Sequence, residues 1–142
     1  MADRKASVVW EGDLPTGKGT ATLESSGLAG SLPVSWPSRT EEPQGQTSPE
    51  ELLAAAHASC FCMALSKELA DRGGTPRRLE TSAQVSFTPG QGVTRSALTV
   101  TISADGLDPD ALREAADAAK DGCPISQALA GNVDLTVDAR PA

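Results

Sequence analysis

The sequence has few of the residues on which several large classes of function depend. Of its 142 residues only 12 are Lys or Arg, against 19 Asp or Glu, which gives a formal net charge of −7. Because phosphate backbones repel such a chain, and no basic run exceeds Arg77–Arg78, nucleic-acid binding is not expected. No apolar run approaches the roughly 20 residues that span a bilayer, and the first residues lack the apolar core of a signal peptide. We therefore expect a cytoplasmic protein with no nucleic-acid or membrane partner.

Large aromatic side chains are scarce as well. Tyrosine is absent, and the aromatic residues are limited to Trp10, Trp36, Phe61 and Phe87. The core must therefore be built from Leu, Val, Ile and many Ala side chains, which leaves its stability thin and makes subunit contacts a reasonable expectation. A chain of this length without a repeated block predicts a single domain over residues 1–142.

Cysteine is limited to Cys60, Cys62 and Cys123, an odd number that cannot form a complete set of intrachain disulfides. A structural disulfide framework is also not expected in the cytosol. Inert buried thiols, a metal site and redox chemistry remain. A structural zinc needs four nitrogen or sulfur ligands, and the chain offers only these thiols and His57, with one thiol facing away. No metal or other cofactor is expected.

Hydrophobic alternation and turn residues predict an α+β fold with a mainly antiparallel sheet, in the order β-β-β-α-β-β-α-β. Strands are predicted over 6–10, 19–24, 32–36, 79–88, 95–104 and 132–139. Helices are predicted over 52–72, 109–120 and a short segment from Pro124 to Gly131. The Pro- and Gly-containing segment 37–47 is predicted to be a loop long enough to be functional.

The long central helix has a clear start signal and an unusual composition. Ser48 can act as its cap, Pro49 suits the first helical position, and Glu51 can complete a capping box. Between residues 52 and 65 the helix is apolar around most of its circumference, which is typical of a helix buried on several sides.

The spacing of the cysteines limits their pairing. Cys60 and Cys62 lie about 200° apart around a helix axis, so they face different surroundings and at most one can share a pocket with Cys123. Periodicity does not decide which one. Cys123 precedes Pro124 at the start of the short helix, where free backbone N–H groups and the helix dipole favour a thiolate.

A reactive thiol within the central helix would need a cation to lower its pKa. Cys60 lies well inside the helix, far from the N-terminal dipole. Arg39, in the segment before the helix, is the nearest candidate upstream, and a guanidinium stays charged and can also donate hydrogen bonds. Glu50 or Glu51 would orient the guanidinium, and the sequence leaves both open.

Two segments resemble a known family. Residues 47–65, Thr-Ser-Pro-Glu-Glu-Leu-Leu-Ala-Ala-Ala-His-Ala-Ser-Cys-Phe-Cys-Met-Ala-Leu, and the segment Cys123-Pro-Ile-Ser-Gln-Ala-Leu resemble the two cysteine motifs of the OsmC/Ohr family, the osmotically inducible and organic-hydroperoxide-resistance proteins. The sequence is closer to the OsmC branch, because it has Ala-Ala-His-Ala-Ser-Cys where the Ohr branch tends to have Gly-Tyr. Arg39, just before the helix, also matches the OsmC branch.

The resemblance implies a fold, an activity and a site. It implies an OsmC-like intertwined homodimer that reduces organic hydroperoxides to alcohols as a cysteine-based peroxidase in the stress response. Cys60 matches the peroxidatic cysteine, Cys123 the resolving cysteine and Glu50 the family carboxylate, while Arg39 matches by its position in the loop. A Cys60–Cys123 disulfide would form and an external dithiol would reduce it, with no cofactor.

Helix geometry adds a further expectation. Glu50 and Cys60 lie ten residues apart, or about 15 Å along one helix. If two copies cross antiparallel near the small residues Ala54–Ala56, Glu50 of one chain lies beside Cys60 of the other. This predicts two composite sites in a homodimer.

Apolar neighbours are expected to bury the substrate tail, namely Leu52, Leu53, Phe61 and Met63.

Three other interpretations stay open from the residues themselves. The chain could be a structural or small-molecule-binding protein of the same fold whose buried thiols are idle. It could be a thiol-dependent metal binder that uses His57 and Cys60 with help from Cys123. A thioredoxin-like reductase is disfavoured, because Cys60-Phe-Cys62 lacks the C-x-x-C spacing.

Overall fold

The computed structural model describes all residues 1–142. The chain forms two compact units, Met1–Leu52 and Leu53–Ala142, which are described separately below. The observed order of elements is β-β-β-α-α-β-β-α-α-β. The predicted α+β class with a long helix is confirmed, and the single domain over 1–142 stays a prediction.

The first unit contains a three-stranded antiparallel sheet. Its strands, in spatial order, are β1 (Ser7–Glu11), β2 (Lys18–Thr22) and β3 (Ser31–Val34). Gly19 pairs with Trp10 across β1 and β2. A Cβ atom on Gly19 would lie 2.8 Å from the Trp10 ring, so glycine at this position lets the indole lie flat on the sheet.

A short helix replaces part of the predicted loop. Helix α1 spans Trp36–Thr40, so the prediction that residues 37–47 form only a loop is wrong at its start. Ser35 caps the helix, because its hydroxyl accepts a hydrogen bond from the Ser38 backbone N–H. The Ser38 hydroxyl in turn accepts one from the Ser35 backbone N–H. The pattern Ser35-x-x-Ser38 with Pro37 between them was the local signal for this helix.

The long helix α2 spans Pro49–Asp71. Its predicted cap is confirmed: the Ser48 hydroxyl accepts from the Glu51 backbone N–H at 3.2 Å. The Glu51 carboxylate accepts from Thr47 instead of returning to the cap. The helix ends at Asp71, and Gly73, two residues later, has a φ of 87°, the left-handed conformation that glycine adopts without strain.

The second unit contains a mixed sheet and two further helices. Strand β4 (Thr75–Thr88) forms a long antiparallel hairpin with β5 (Gly92–Asp105), and β5 pairs with β6 (Asp134–Pro141) in parallel. The chain passes through α3 (Pro109–Gly122) and α4 (Pro124–Leu129) before it enters β6. A crossover of this length is what a parallel pair requires, so the predicted antiparallel character does not extend to β6.

The core of the second unit is a seam between α2, β5 and α3. Every fourth residue of α2 is fully buried, and every second residue of β5 is buried, as the two periodicities require. The α2 row is His57, Phe61, Leu65 and Leu69, and the β5 row is Ser96, Leu98, Val100 and Ile102. The apolar members pack with Leu112, Ala115, Ala116 and Ala119 of α3. One end of this seam is polar, because His57 and Ser96 lie there.

Helix α2 is long and apolar enough to cross a membrane when judged by length and composition alone. The expectation that no segment approaches this length is therefore wrong. The core helix of a soluble protein passes the same test, and α2 has a row of side chains buried against its own unit.

The seam predicts where truncation is costly. We expect Leu65→Ala to lower the free energy of unfolding by about 2–5 kcal/mol, because it leaves a cavity in a fully buried position. Leu28→Ala removes the same atoms from a side chain that is 67% exposed, and we expect a loss of at most about 0.5 kcal/mol. Urea unfolding of both variants measures the difference, and equal losses would contradict the packing described here.

Candidate active site

The second unit brings two thiols together across a long stretch of sequence. The side chains of Cys60 on α2 and Cys123 at the start of α4 lie close enough to interact with each other. Both are free thiols, Cys123 is buried, and Cys60 is partly exposed. The first thiol is therefore partly accessible, and the second is shielded from solvent.

The N-terminus of α4 places Cys123 and a backbone donor at Cys60. Helix α3 ends at Gly122, and Cys123 is both its C-terminal cap and the N-cap of α4, with an extended backbone. Pro124 then starts α4 at a position where its missing N–H costs nothing. The backbone N–H of Ile125 lies close enough to the Cys60 sulfur to stabilise its thiolate. The second cysteine motif thus contributes both a thiol and a backbone N–H to the surroundings of Cys60.

The immediate surroundings of Cys60 favour its neutral form. Burial raises the pKa of the Cys60 thiol above its usual value, and the hydrogen bond with Cys123 raises this pKa further. The Ile125 N–H acts in the opposite direction, because it stabilises the thiolate. A thiolate here therefore needs an additional positive charge.

Cys62 faces a different element from Cys60, as their spacing predicts. Its Sγ donates to the Thr81 hydroxyl on β4 at 3.0 Å. Cys62 is thus directed towards β4, whereas Cys60 contacts α4, and the geometric part of the prediction is confirmed.

His57 is fully buried one helical turn before Cys60. Its Nδ1 lies 2.6 Å from the Ser96 hydroxyl on β5, and its Nε2 lies 2.8 Å from the Ser126 hydroxyl on α4. Burial lowers the pKa of His57, which keeps the imidazole neutral. Because both ring nitrogens are engaged by serines, the suggestion that His57 and Cys60 share a metal ion finds no support in this arrangement.

The first unit contains the candidate cation and its carboxylate. Arg39 of α1 donates from Nε and Nη2 to the same oxygen of Glu50, Oε1, at 2.9 and 2.7 Å. Glu50, not Glu51, is therefore the partner of Arg39, which decides the choice that the sequence left open. The Glu50 side chain is 9% exposed, and its second oxygen, Oε2, is buried without a hydrogen-bond partner in the chain.

An apolar cavity of about 350 Å³ lies beside this ion pair in the first unit. Apart from Ser35 and Arg39 its walls are apolar, and they include both indoles and several aliphatic side chains, namely Val8, Leu14, Val34 and Leu52. The Arg39 guanidinium lies 5.8 Å from the centre of the Trp36 ring, within range of a cation–π interaction.

The expected apolar neighbours of the site are distributed differently. Leu52 lines the cavity of the first unit, whereas Phe61 is fully buried in the core of the second unit and Met63 is 74% exposed. Phe61 therefore stabilises the fold and offers no surface to a substrate. The tail-binding prediction is wrong for this residue, because its helical position faces the sheet.

Sequence reasoning missed three residues at these sites. Trp10 lines the cavity, and Ser96 and Ser126 engage His57. A serine at a core position of an alternating strand, in register with the buried Leu98, was the available signal for Ser96. Nothing local identified Ser126.

A thiol within a long helix that interacts with a second thiol at the start of a short one, in an α+β fold, is typical of a cysteine-based redox protein. Comparisons narrow the class. A family described as OsmC-like protein matches residues 42–138. "Peroxiredoxin OsmC" of Escherichia coli (strain K12) is 40% identical over 135 residues, with 93% of each chain covered. "Organic hydroperoxide resistance protein OhrB" of Bacillus subtilis (strain 168) is 33% identical over 104 residues, which are 72% of this chain and 76% of that protein.

Solved structures agree with the sequence comparisons. The crystal structure of an organic hydroperoxide resistance protein OsmC from Legionella pneumophila has a TM-score of 0.72 and 26% identity, with 99% of each chain covered. The crystal structure of OhrB of Bacillus subtilis has a TM-score of 0.67 and 26% identity, over 96% of this chain and 98% of that one. The chain belongs to the OsmC family, which confirms the resemblance seen in its two cysteine motifs.

The buried imidazole predicts a pH dependence of stability. Because the pKa of His57 is lowered on folding, the unfolded chain binds more protons below pH 6.5, so stability should fall as the pH decreases from about 6.5 towards the lowered pKa. The slope can reach about 1.4 kcal/mol per pH unit for one proton.

Urea unfolding between pH 7.5 and 5 measures this slope. His57 is the only histidine, so the difference between the wild type and His57→Gln isolates its contribution from that of the carboxylates. Parallel pH profiles for the two proteins would show that the imidazole is not held neutral.

Proposed function

We propose that this protein is a cysteine-based peroxidase that reduces organic hydroperoxides to alcohols, with Cys60 as the peroxidatic and Cys123 as the resolving cysteine. The contact between these two thiols at the start of α4 carries the proposal. The names of the two relatives, peroxiredoxin and organic hydroperoxide resistance protein, support the reduction of hydroperoxides as the reaction. The rival interpretation of idle thiols does not account for a partly exposed thiol that interacts with a second, buried thiol.

The first step oxidises Cys60. Its thiolate attacks the terminal hydroxyl oxygen of the hydroperoxide, a sulfur–oxygen bond forms, and the O–O bond breaks. The sulfur is oxidised to a sulfenic acid, and the leaving alkoxide takes a proton to become the alcohol.

The second step uses Cys123. Its thiolate attacks the sulfur of the sulfenic acid, a Cys60–Cys123 disulfide forms, and the hydroxide that leaves is protonated to water. An external dithiol then reduces the disulfide by thiol–disulfide exchange and restores both thiols.

Arg39 supplies the missing positive charge in this proposal. Burial raises the pKa of Cys60, so the thiolate needs a cation that is not itself neutralised by loss of a proton. Glu50 fixes the direction of the guanidinium through two hydrogen bonds to one oxygen. Such a guanidinium can stabilise the thiolate and the negative charge that develops on the alkoxide.

A homodimer with composite sites would let Arg39 reach this position. Glu50 precedes Cys60 by ten residues on one helix, which corresponds to about 15 Å along its axis. In an antiparallel pair of α2 helices, the Arg39–Glu50 pair of one subunit would complete the thiol pair of the other. The unpartnered and buried Glu50 Oε2 supports an additional contact of this kind.

The cavity lined by both indoles supports an organic substrate. Its apolar walls would bury an alkyl or aryl tail, at about 25 cal/mol per Å², and Arg39 at its margin would meet the polar peroxide group. Hydrogen peroxide has no tail and would gain nothing there. We place this activity in the cytoplasm, in the response to oxidative and osmotic stress.

The thiol roles can be tested by mass spectrometry. After one equivalent of cumene hydroperoxide, we expect a Cys60–Cys123 disulfide in the wild type. Cys123→Ser should stop at a sulfenic or higher acid on Cys60, because the resolving thiol is missing. Cys62→Ser is the matched control, since Cys62 contacts β4, and it should behave like the wild type. A disulfide through Cys62, or thiols that are not oxidised at all, would overturn the assignment.

The composite site can be tested by complementation. Arg39→Ala and Cys60→Ser should each be inactive as homodimers. When the two are co-expressed, random pairing yields mixed dimers with one working site, so about a quarter of the wild-type activity should return.

The control pairs Arg39→Ala with the double variant Arg39→Ala/Cys60→Ser, which cannot assemble a working site. If each site were built within one chain, no activity would return in the first mixture. A fully active monomer by light scattering would also reject the dimer.

A further inference from the structure

The polar end of the core seam contains a hydrogen-bonded chain that joins three elements. Ser96 on β5, His57 on α2 and Ser126 on α4 are each at most 2% exposed. The two contacts to the imidazole measure 2.6 and 2.8 Å. The peroxide chemistry proposed above does not use any of these side chains, so their burial needs another explanation.

A neutral imidazole makes this chain directional. It has one N–H donor and one acceptor nitrogen, so one serine must accept a hydrogen bond and the other must donate one. Each buried polar group depends on its neighbour, because a group left without a partner would pay its desolvation cost. The imidazole therefore fixes Ser126 in place relative to α2.

Helix α4 depends on such external anchors. It contains 6 residues, which is too short for a helix to be stable by itself in water. Ser126 lies one turn after Cys123, and the Cys123 carbonyl accepts the backbone N–H of Gln127 within the same turn. A hydrogen bond at Ser126 thus restrains the turn that carries the resolving thiol. His57, at its other end, precedes Cys60 by one turn of α2.

We propose that His57 is a positioning residue that holds α4 against α2 through Ser126, so that Cys123 captures the oxidised Cys60 before a second peroxide does. This inference rests on the proposed function. The sulfenic acid of Cys60 has two fates. Cys123 can attack its sulfur to give a disulfide and water, or a second hydroperoxide can oxidise it to a sulfinic acid and leave as an alcohol. The anchor favours the first fate.

The test compares the two serines that engage the same imidazole. Ser126→Ala removes the bond to α4, and Ser96→Ala removes the bond to β5. In each variant one ring nitrogen of His57 loses its hydrogen-bond partner, so the free energy of unfolding should fall in both. Only Ser126→Ala should release the Cys123 turn. We expect the ratio of sulfinic acid to disulfide at Cys60, measured by mass spectrometry over a cumene hydroperoxide titration, to rise about fivefold in Ser126→Ala. In Ser96→Ala this ratio should stay within about twofold of the wild type.

A second pair guards against poor folding. Ser126→Thr keeps the hydroxyl and Ser126→Val replaces it with a methyl group of the same shape, so both add the same bulk. The threonine variant should retain a lower sulfinic fraction than the valine variant. Equal fractions would overturn the inference, because they would show that packing alone matters.

A peroxide-free measurement separates this inference from the proposed function. Equilibration with oxidised and reduced glutathione reports the effective concentration of Cys123 at Cys60. We expect Ser126→Ala to lower this equilibrium constant about fivefold and Ser96→Ala to change it less than twofold. If hydroperoxides do not oxidise the thiols of the wild type but these shifts appear, the peroxidase assignment fails. The role of His57 and Ser126 in positioning Cys123 then still stands. If the shifts are absent, the anchor itself is rejected.

Discussion

The interaction between the thiols of Cys60 and Cys123 depends on how three elements meet in the second unit. Cys60 lies on α2, whose buried row packs against the alternating row of β5. Cys123 begins α4, a helix too short to be stable alone, so its position is set by neighbours. One of those neighbours is His57, which is hydrogen-bonded to Ser126 of α4. The position of Cys60 therefore depends on the packing of the buried row of α2 against the buried row of β5.

The two units contain groups with different electrostatic properties. The surroundings of Cys60 raise its pKa, because burial and a second thiol both favour the neutral form. The first unit contains a guanidinium held by a nearly buried carboxylate, beside a cavity with aromatic walls. The partly exposed thiol of the second unit thus favours its neutral form, whereas the first unit contains a fixed positive charge.

Much of the fold could be predicted because its signals are local. The start of α2 followed from Ser48 and Pro49, and its end from the glycines after Arg72. Two features were not predicted. Helix α1 was missed because a five-residue helix has too few residues to show periodicity, so only its capping pattern identifies it. The parallel pairing of β6 was missed because strand direction depends on the path of the crossover and not on the composition of the strand.

The sequence by itself determined the family, the long helix, the different orientations of Cys60 and Cys62, and the thiol pair as the candidate reactive groups, because these depend on motifs and on spacing within one element. Only the tertiary structure decided that Glu50 rather than Glu51 holds Arg39, that Phe61 belongs to the core, and that Ser96 and Ser126 enclose His57. These facts join residues that are far apart in sequence or nearly equivalent locally. Which of them meet is set by side-chain direction and packing between elements, on which linear spacing carries no information.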